Sequence, residues 1–213
     1  MSITSVDVTA PPRGEPIPFT TRLLPWVLAL GGVVGLAAAL VLTIEKIALI
    51  RDPGYVPSCS INPILSCGSI MNTAQSQVFG FPNPLLGIVG FAVVTTTGMV
   101  LLGGARLPRW FWLGLLAGSA FGVGFIHWLI YQSLYVIGAL CPYCMVVWVI
   151  TIPVFWYTTL ACLHHGHLPV PVRGRPLVVQ GLIRYHGVVL TVWYVIIALA
   201  VLQAFRTYWM TLL

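Results

Sequence analysis

Five long apolar runs dominate this chain, separated by short polar or proline-rich segments. They are Leu23 to Ile50, Leu85 to Leu102, Phe111 to Leu140, Cys144 to Leu163 and Val188 to Phe205. A helix needs about 20 apolar residues to cross the hydrocarbon core of a bilayer. The pattern therefore predicts five transmembrane helices and an all-α membrane fold. No segment alternates with the roughly ten-residue rhythm of an outer-membrane barrel. The first run exceeds the apolar core of a signal peptide, about 7 to 15 residues, and reads as an uncleaved first helix. Residues 1–22, with four prolines, read as a cytoplasmic disordered tail.

Composition agrees. Of 213 residues, 59% are hydrophobic and only 7% charged, against about 25% charged in soluble domains. The net charge of +6 would suit nucleic acid, but the positions of the basic residues say otherwise. With the N-terminus inside, Arg13, Arg22, Arg106, Arg109, Arg173, Arg175 and Arg184 lie in cytoplasmic segments. Lys46, Arg51 and Arg206 lie outside. That is the positive-inside bias, so the basic balance is a topology signal and no nucleic-acid partner is expected.

This topology sends Cys59, Cys67, Cys141 and Cys144 to the oxidising side, where disulfides persist. Cys162 lies about 27 Å along the same helix from Cys144 at 1.5 Å per residue, so it reads as a small buried apolar residue. Cys141-Pro-Tyr-Cys144 opens the fourth helix. Two intervening residues bring both sulfurs onto one turn, and a helix N-terminus favours thiolate. Pro142 suits the first turn. The same spacing is half a zinc site, but the outside loops have no histidine and the second pair is widely spaced. Redox use is the favoured reading over metal binding or a fixed bridge. Cys59 and Cys67 either brace their proline-rich loop or form the second stage of a thiol–disulfide relay. Two pairs on one membrane face favour the relay.

The segments Cys59-Ser-Ile-Asn-Pro-Ile-Leu-Ser-Cys67-Gly-Ser-Ile, Phe79-Gly-Phe-Pro-Asn-Pro-Leu-Leu-Gly87 and Cys141-Pro-Tyr-Cys144 resemble the vitamin K epoxide reductase family, bacterial branch, over roughly residues 23 to 163. The resemblance implies a four-helix bundle over 23–163 enclosing a quinone of menaquinone or ubiquinone type, capped by an extracytoplasmic loop at 51–84. It implies a linker at 164–187 and a fifth helix with a short tail at 188–213. Cys144 would react with the quinone, Cys141 would exchange with Cys67, and Cys59 with a partner protein. Asn83 falls where the family often bonds a quinone oxygen, and Thr73 where a serine is usual. Trp148 stands where vertebrate members have a tyrosine. Many bacterial members continue into a thioredoxin-like domain, whereas here the sequence stops at Leu213. The expected partner is therefore a separate extracytoplasmic thioredoxin-fold disulfide donor, with membrane lipid around the helices and a bacterial plasma membrane as the location.

The chemistry needs a two-electron acceptor. There is no dinucleotide fingerprint and no C-x-x-C-H haem motif. Gly118-Ser-Ala-Phe-Gly122-Val-Gly124 lies within an apolar run and reads as small-residue helix packing. A lipid-soluble acceptor inside the bundle is the natural remaining choice, and the resemblance implies that it is a quinone. The alternatives are a quinone-epoxide reductase using the same residues, or a transporter or assembly subunit with structural cysteines. For the latter there is no internal repeat and few intramembrane charges.

Other polar residues receive plainer readings. His127 is an interior histidine with a hydrogen bond, although an intramembrane ionisable group is a functional candidate by default. Gln132 packs inside the bundle. His164, His165 and His167 form a solvated loop. Glu45 and Lys46 reach the interface. Trp110, Trp112 and Trp209 are interfacial anchors.

Overall fold

The computed structural model describes residues 19–168 and 175–211; residues 1–18 of the tail predicted over 1–22 lie outside them. Every regular element among the described residues is a helix, with no strand beyond one isolated bridge. Five helices are long and apolar enough to cross a membrane. They are α1 (Phe19–Arg51), α3 (Pro84–Leu102), α4 (Arg109–Tyr131, extended by a π-helical turn over Gln132–Ile137), α5 (Pro142–His164) and α7 (His186–Ala204). The short helix α2 (Cys67–Met71) and a 3₁₀ turn (Ala74–Gln77) lie in the loop between α1 and α3. Helix α6 (Arg175–Arg184) occupies part of the stretch read as a linker, and α8 (Arg206–Thr211) part of the terminal tail. α1 also begins inside the segment read as tail.

α1 packs along α3 and α5, and α5 packs along α4. The order around the bundle is thus α3, α1, α5, α4. Close packing of α1 on α3 depends on missing side chains. A Cβ at Gly98 would collide with the backbone of Ala29, 2.7 Å from its Cα, and one at Gly32 would meet the backbone of Thr95. α3 and α4 do not pack extensively on each other, so the ring is open on that side.

α7 lies outside the four helices, with none of its residues buried. Its Ile197, Ala200 and Val201 pack against the cluster of Ile126, Ile130, Trp148 and Ile152, and two polar contacts add to this: Trp193 Nε1 donates to His127 Nε2 at 2.9 Å, and Tyr194 donates to the Val149 carbonyl at 2.6 Å. His127 also bonds the Val123 carbonyl through Nδ1, so it is a hydrogen-bonded structural group joining α4 to α7. The far end of the bundle has its own core around Leu28, Trp112, Leu160 and Cys162. Trp112 is buried there and stacks on His167, so the anchor reading does not hold for it. The long indole fills the gap where α4 meets the end of α5. Trp110, in contrast, is exposed. His164 and His165 are exposed, and no set of histidines among the described residues has the geometry of a metal site.

Candidate functional site

The four cysteines meet at one end of the bundle. Two local structures bring them there. Before α5, the π-helical turn ends at Gly138, whose φ of +69° reverses the chain. Ser133 takes up the freed backbone groups: its carbonyl accepts from Gly138 and Ala139, and its hydroxyl donates to the Ala139 carbonyl. The loop then pairs with the incoming segment. Leu140 N donates to Ile64 O at 2.7 Å, and Ser66 N donates to Leu140 O at 2.9 Å. This parallel bridge between Leu65 and Leu140 sets Cys67 beside Cys141.

Cys67 begins α2, behind the N-cap Ser66, whose hydroxyl accepts from Ser69 N. Cys141 is the N-cap of α5: its backbone is extended, its sulfur accepts from Cys144 N at 3.4 Å, and Pro142 takes the first turn. Cys59 and Cys67 form a disulfide, and Cys141 and Cys144 are free thiols. Cys67 Sγ and Cys141 Sγ are 3.1 Å apart. The sulfurs of Cys59, Cys67 and Cys141 all lie within 4.8 Å of one another. The expected pairs are therefore brought into direct contact. Cys162 is buried at the other end, against the Trp112 carbonyl.

The Cys141 thiol is held below the ordinary thiol range. The largest influence is a hydrogen bond from the Cys144 thiol; backbone N–H groups of Cys144 and Tyr143 add to it, and burial opposes them. A thiolate favoured in this way is both a better attacking group and a better leaving group near neutral pH.

Below the cysteines lies a cavity of about 590 Å³, within the usual range for small-molecule sites. Cys67, Cys141 and Cys144 reach it, with Lys46, Ser76 and Asn83 at the same end. Trp148 forms part of its wall and is buried; Gln132 also lines it, inside the bundle as expected. The cavity continues between α3 and α4 as far as Trp110. Ser119 and Thr151 line it but spend their hydroxyls on carbonyls of their own helices, so the far part is effectively apolar. The glycine stripe of α4 borders this space. A Cβ at Gly114 or Gly118 would meet nothing within 4 Å, so Gly118 widens the cavity and does not serve helix packing. Gly122 alone makes an ordinary contact, with Thr151.

Two expected ligand contacts look different in place. The Thr73 hydroxyl donates to the Ile70 carbonyl, and Thr73 does not line the cavity. Capping the end of α2 turns it away from the cavity, and Gln75 and Ser76 line that part of the wall instead. Asn83 does line the cavity, but its amide also braces the loop: Nδ2 donates to Gln75 O at 2.7 Å and Oδ1 accepts from Val78 N. Its second N–H is what it has to offer a ligand.

Glu45 and Lys46 are 7% and 6% exposed, and so are buried beneath the loop and away from the interface. The Glu45 carboxylate accepts from Tyr55 Oη at 2.9 Å and from the backbone N–H and hydroxyl of Ser58. This grips the segment just before Cys59, and the carboxylate in turn raises the Tyr55 phenol above its usual range. Lys46 Nζ donates to the carbonyl of Met71, at the end of α2. Adjacent charges on α1 thus hold both arms of the loop that carries the first cysteine pair. The only signal in the sequence was the rule that ionisable groups inside a span are retained for a reason.

A membrane-embedded helical bundle with a dithiol, a disulfide in contact with it and an apolar cavity open between α3 and α4 defines a membrane redox protein. Residues 26–159 match the Vitamin K epoxide reductase family, and the chain belongs to that family. It is accordingly a multi-pass membrane oxidoreductase. Comparison with curated proteins finds no match.

Proposed function

We propose that this protein is a thiol–disulfide:quinone oxidoreductase that reoxidises a separate thioredoxin-fold disulfide donor. The observation that carries the reading is the 3.1 Å contact between Cys67 Sγ and Cys141 Sγ, which links two cysteine pairs above one cavity. A permanent brace between Cys59 and Cys67 has no need of that contact. A relay does.

The residues fit a quinone: apolar walls suit a ring and tail, and polar groups cluster at the cysteine end, where ring oxygens need donors. Cys144, Trp148, Asn83 and Lys46 would hold the ring. The glycine-lined space along α4 suits the tail. When bound, the quinone supplies a two-electron, two-proton acceptor for the Cys141–Cys144 dithiol.

The chain's own steps follow from the contacts. Starting from a Cys141–Cys144 bridge, the Cys67 thiolate attacks Cys141 and releases Cys144. Cys59 then attacks Cys67, closes the Cys59–Cys67 bridge and releases Cys141. The sulfur connectivity of the structure is the end of this sequence. The loop bridge next takes two electrons from the donor. Cys59 is only 4% exposed, so exchange with a protein requires the segment gripped by Glu45 to lift. The distribution of arginines supports an orientation with this end outside the cytoplasm, and the proposed location is a bacterial plasma membrane.

The test is quinone reduction by the purified protein in detergent, with a reduced thioredoxin-fold protein as donor. Wild type should form quinol, and Cys144→Ala should abolish it. Removing Cys59 or Cys67 should block the protein donor while sparing a small dithiol. Full activity in Cys144→Ala would sink the reading.

A further inference from the structure

The loop contacts use the charge of Glu45 but do not require that of Lys46. Met71 O is the single hydrogen-bond partner of the Lys46 ammonium among the described residues, and that carbonyl already accepts from Ser76 Oγ at 2.8 Å. Bracing α2 therefore needs no charge. No carboxylate lies within ion-pair distance among the described residues, because Glu45 turns to Tyr55 and Ser58. Burying an ammonium without a counter-charge is unfavourable, and two of its three donors have no partner among these residues.

Its position suggests their use. Lys46 is the one charged residue among the described residues lining the cavity, and it shares that cavity with Cys67, Cys141 and Cys144. Resting on the quinone reading above, we propose that Lys46 is a catalytic residue, donating to a quinone oxygen as electrons arrive from the Cys141–Cys144 dithiol. A cation already in place in a low-dielectric site stabilises negative charge growing on that oxygen.

The step balances. Cys141 and Cys144 lose two electrons and their two protons as the sulfur–sulfur bond forms. Both electrons enter the quinone, and each ring oxygen gains one proton. Lys46 gives its proton to the nearer oxygen and regains one from the dithiol; the other thiol proton goes to the second oxygen. The titratable groups facing Lys46 are these thiols, with Glu45 beside it on α1.

Two substitutions separate charge from bracing. Lys46→Gln keeps a donor for Met71 O without the charge, and Lys46→Arg keeps the charge. Full-length protein in lipid nanodiscs would be reduced and mixed with a short-chain ubiquinone. Single-turnover quinol formation should fall about 10²-fold in Lys46→Gln, the usual loss for a preorganised oxyanion donor, and recover to within about tenfold of wild type in Lys46→Arg. A second readout needs no turnover. In a Cys144→Ala background, the infrared carbonyl stretch of bound ¹³C-labelled quinone should move toward its free value when Lys46 becomes Gln. Trapping of the Cys67–Cys141 mixed disulfide should be unchanged. The proposal is overturned if Lys46→Gln forms quinol at the wild-type rate, if the carbonyl band does not move, or if disulfide trapping falls as much as quinol formation. A wild type that reduces no quinone overturns the functional reading itself, and the role of Lys46 with it.

Discussion

Two helix faces in this molecule carry the same kind of sequence, small residues in an apolar run, and use it in opposite ways. On the α1–α3 face, Gly98 and Gly32 let the two backbones approach until a single methyl would not fit. On the α4 face, Gly114 and Gly118 meet nothing within 4 Å. The first set draws helices together where no hydrophobic drive exists between them in lipid. The second borders the gap between α3 and α4 and leaves room in the far, apolar part of the cavity. Small residues in a membrane helix thus mark either a contact or a space, and the partner helix decides which.

The largest effect should come from filling the closed face. Gly98→Ala places a methyl against the Ala29 backbone, a group that cannot rotate away. Overpacking of this kind costs about 1–3 kcal/mol or more, and Gly98→Val should yield no monodisperse protein by size-exclusion chromatography in detergent. Gly118→Ala is the matched control. It should leave the thermal midpoint unchanged or raise it, since alanine is the better helix former by up to about 1 kcal/mol. Equal damage at both sites would erase the distinction between the faces.

A smaller, selective effect should follow from filling the open face. Gly118→Leu should remain folded but lose about tenfold in kcat/KM with a long-tailed quinone, and change little with a tail-less analogue. Steady-state kinetics across a series of tail lengths checks this. A uniform loss would place the side chain at the ring and not at the tail.

The smallest effect is expected at Cys162, on the packed side far from the relay. It is as buried as Cys141, but its neighbour is a backbone carbonyl of Trp112 and not a second sulfur. Cys162→Ser should change donor-driven quinone reduction by less than about twofold, since the hydroxyl inherits that carbonyl as an acceptor and buried polar groups are tolerated when bonded. A strong loss of turnover would mean that the two ends of the bundle are coupled.

Much of the fold was legible because a bilayer imposes long apolar runs. The five spans, the first-turn position of Pro142 and the membrane-end location of both cysteine pairs all follow from local pattern. The isolation of Cys162 follows from helix rise alone. Cys67 and Cys141, the two sulfurs that the resemblance sets to exchange, lie in contact. Other assignments failed for a common reason. Glu45 and Lys46 sit near a helix end, where hydropathy places charges in water, yet the loop folds back over them, donating to the Glu45 carboxylate and accepting one Lys46 hydrogen bond. Thr73 retains the expected hydroxyl, but capping α2 consumes it. Trp112 belongs to a packed core, although an indole near a span end resembles an anchor.

By itself, the sequence determined which segments enter the membrane, which end carries the thiols and what chemistry those thiols can perform. These depend on side-chain type and on spacing along one helix. Tertiary structure alone decided which apolar faces meet each other and which line a cavity, because lipid and protein interior are equally apolar and leave the same mark on the sequence. It also decided that an ammonium lines the cavity the cysteines reach, since that depends on where a loop folds across the end of a helix.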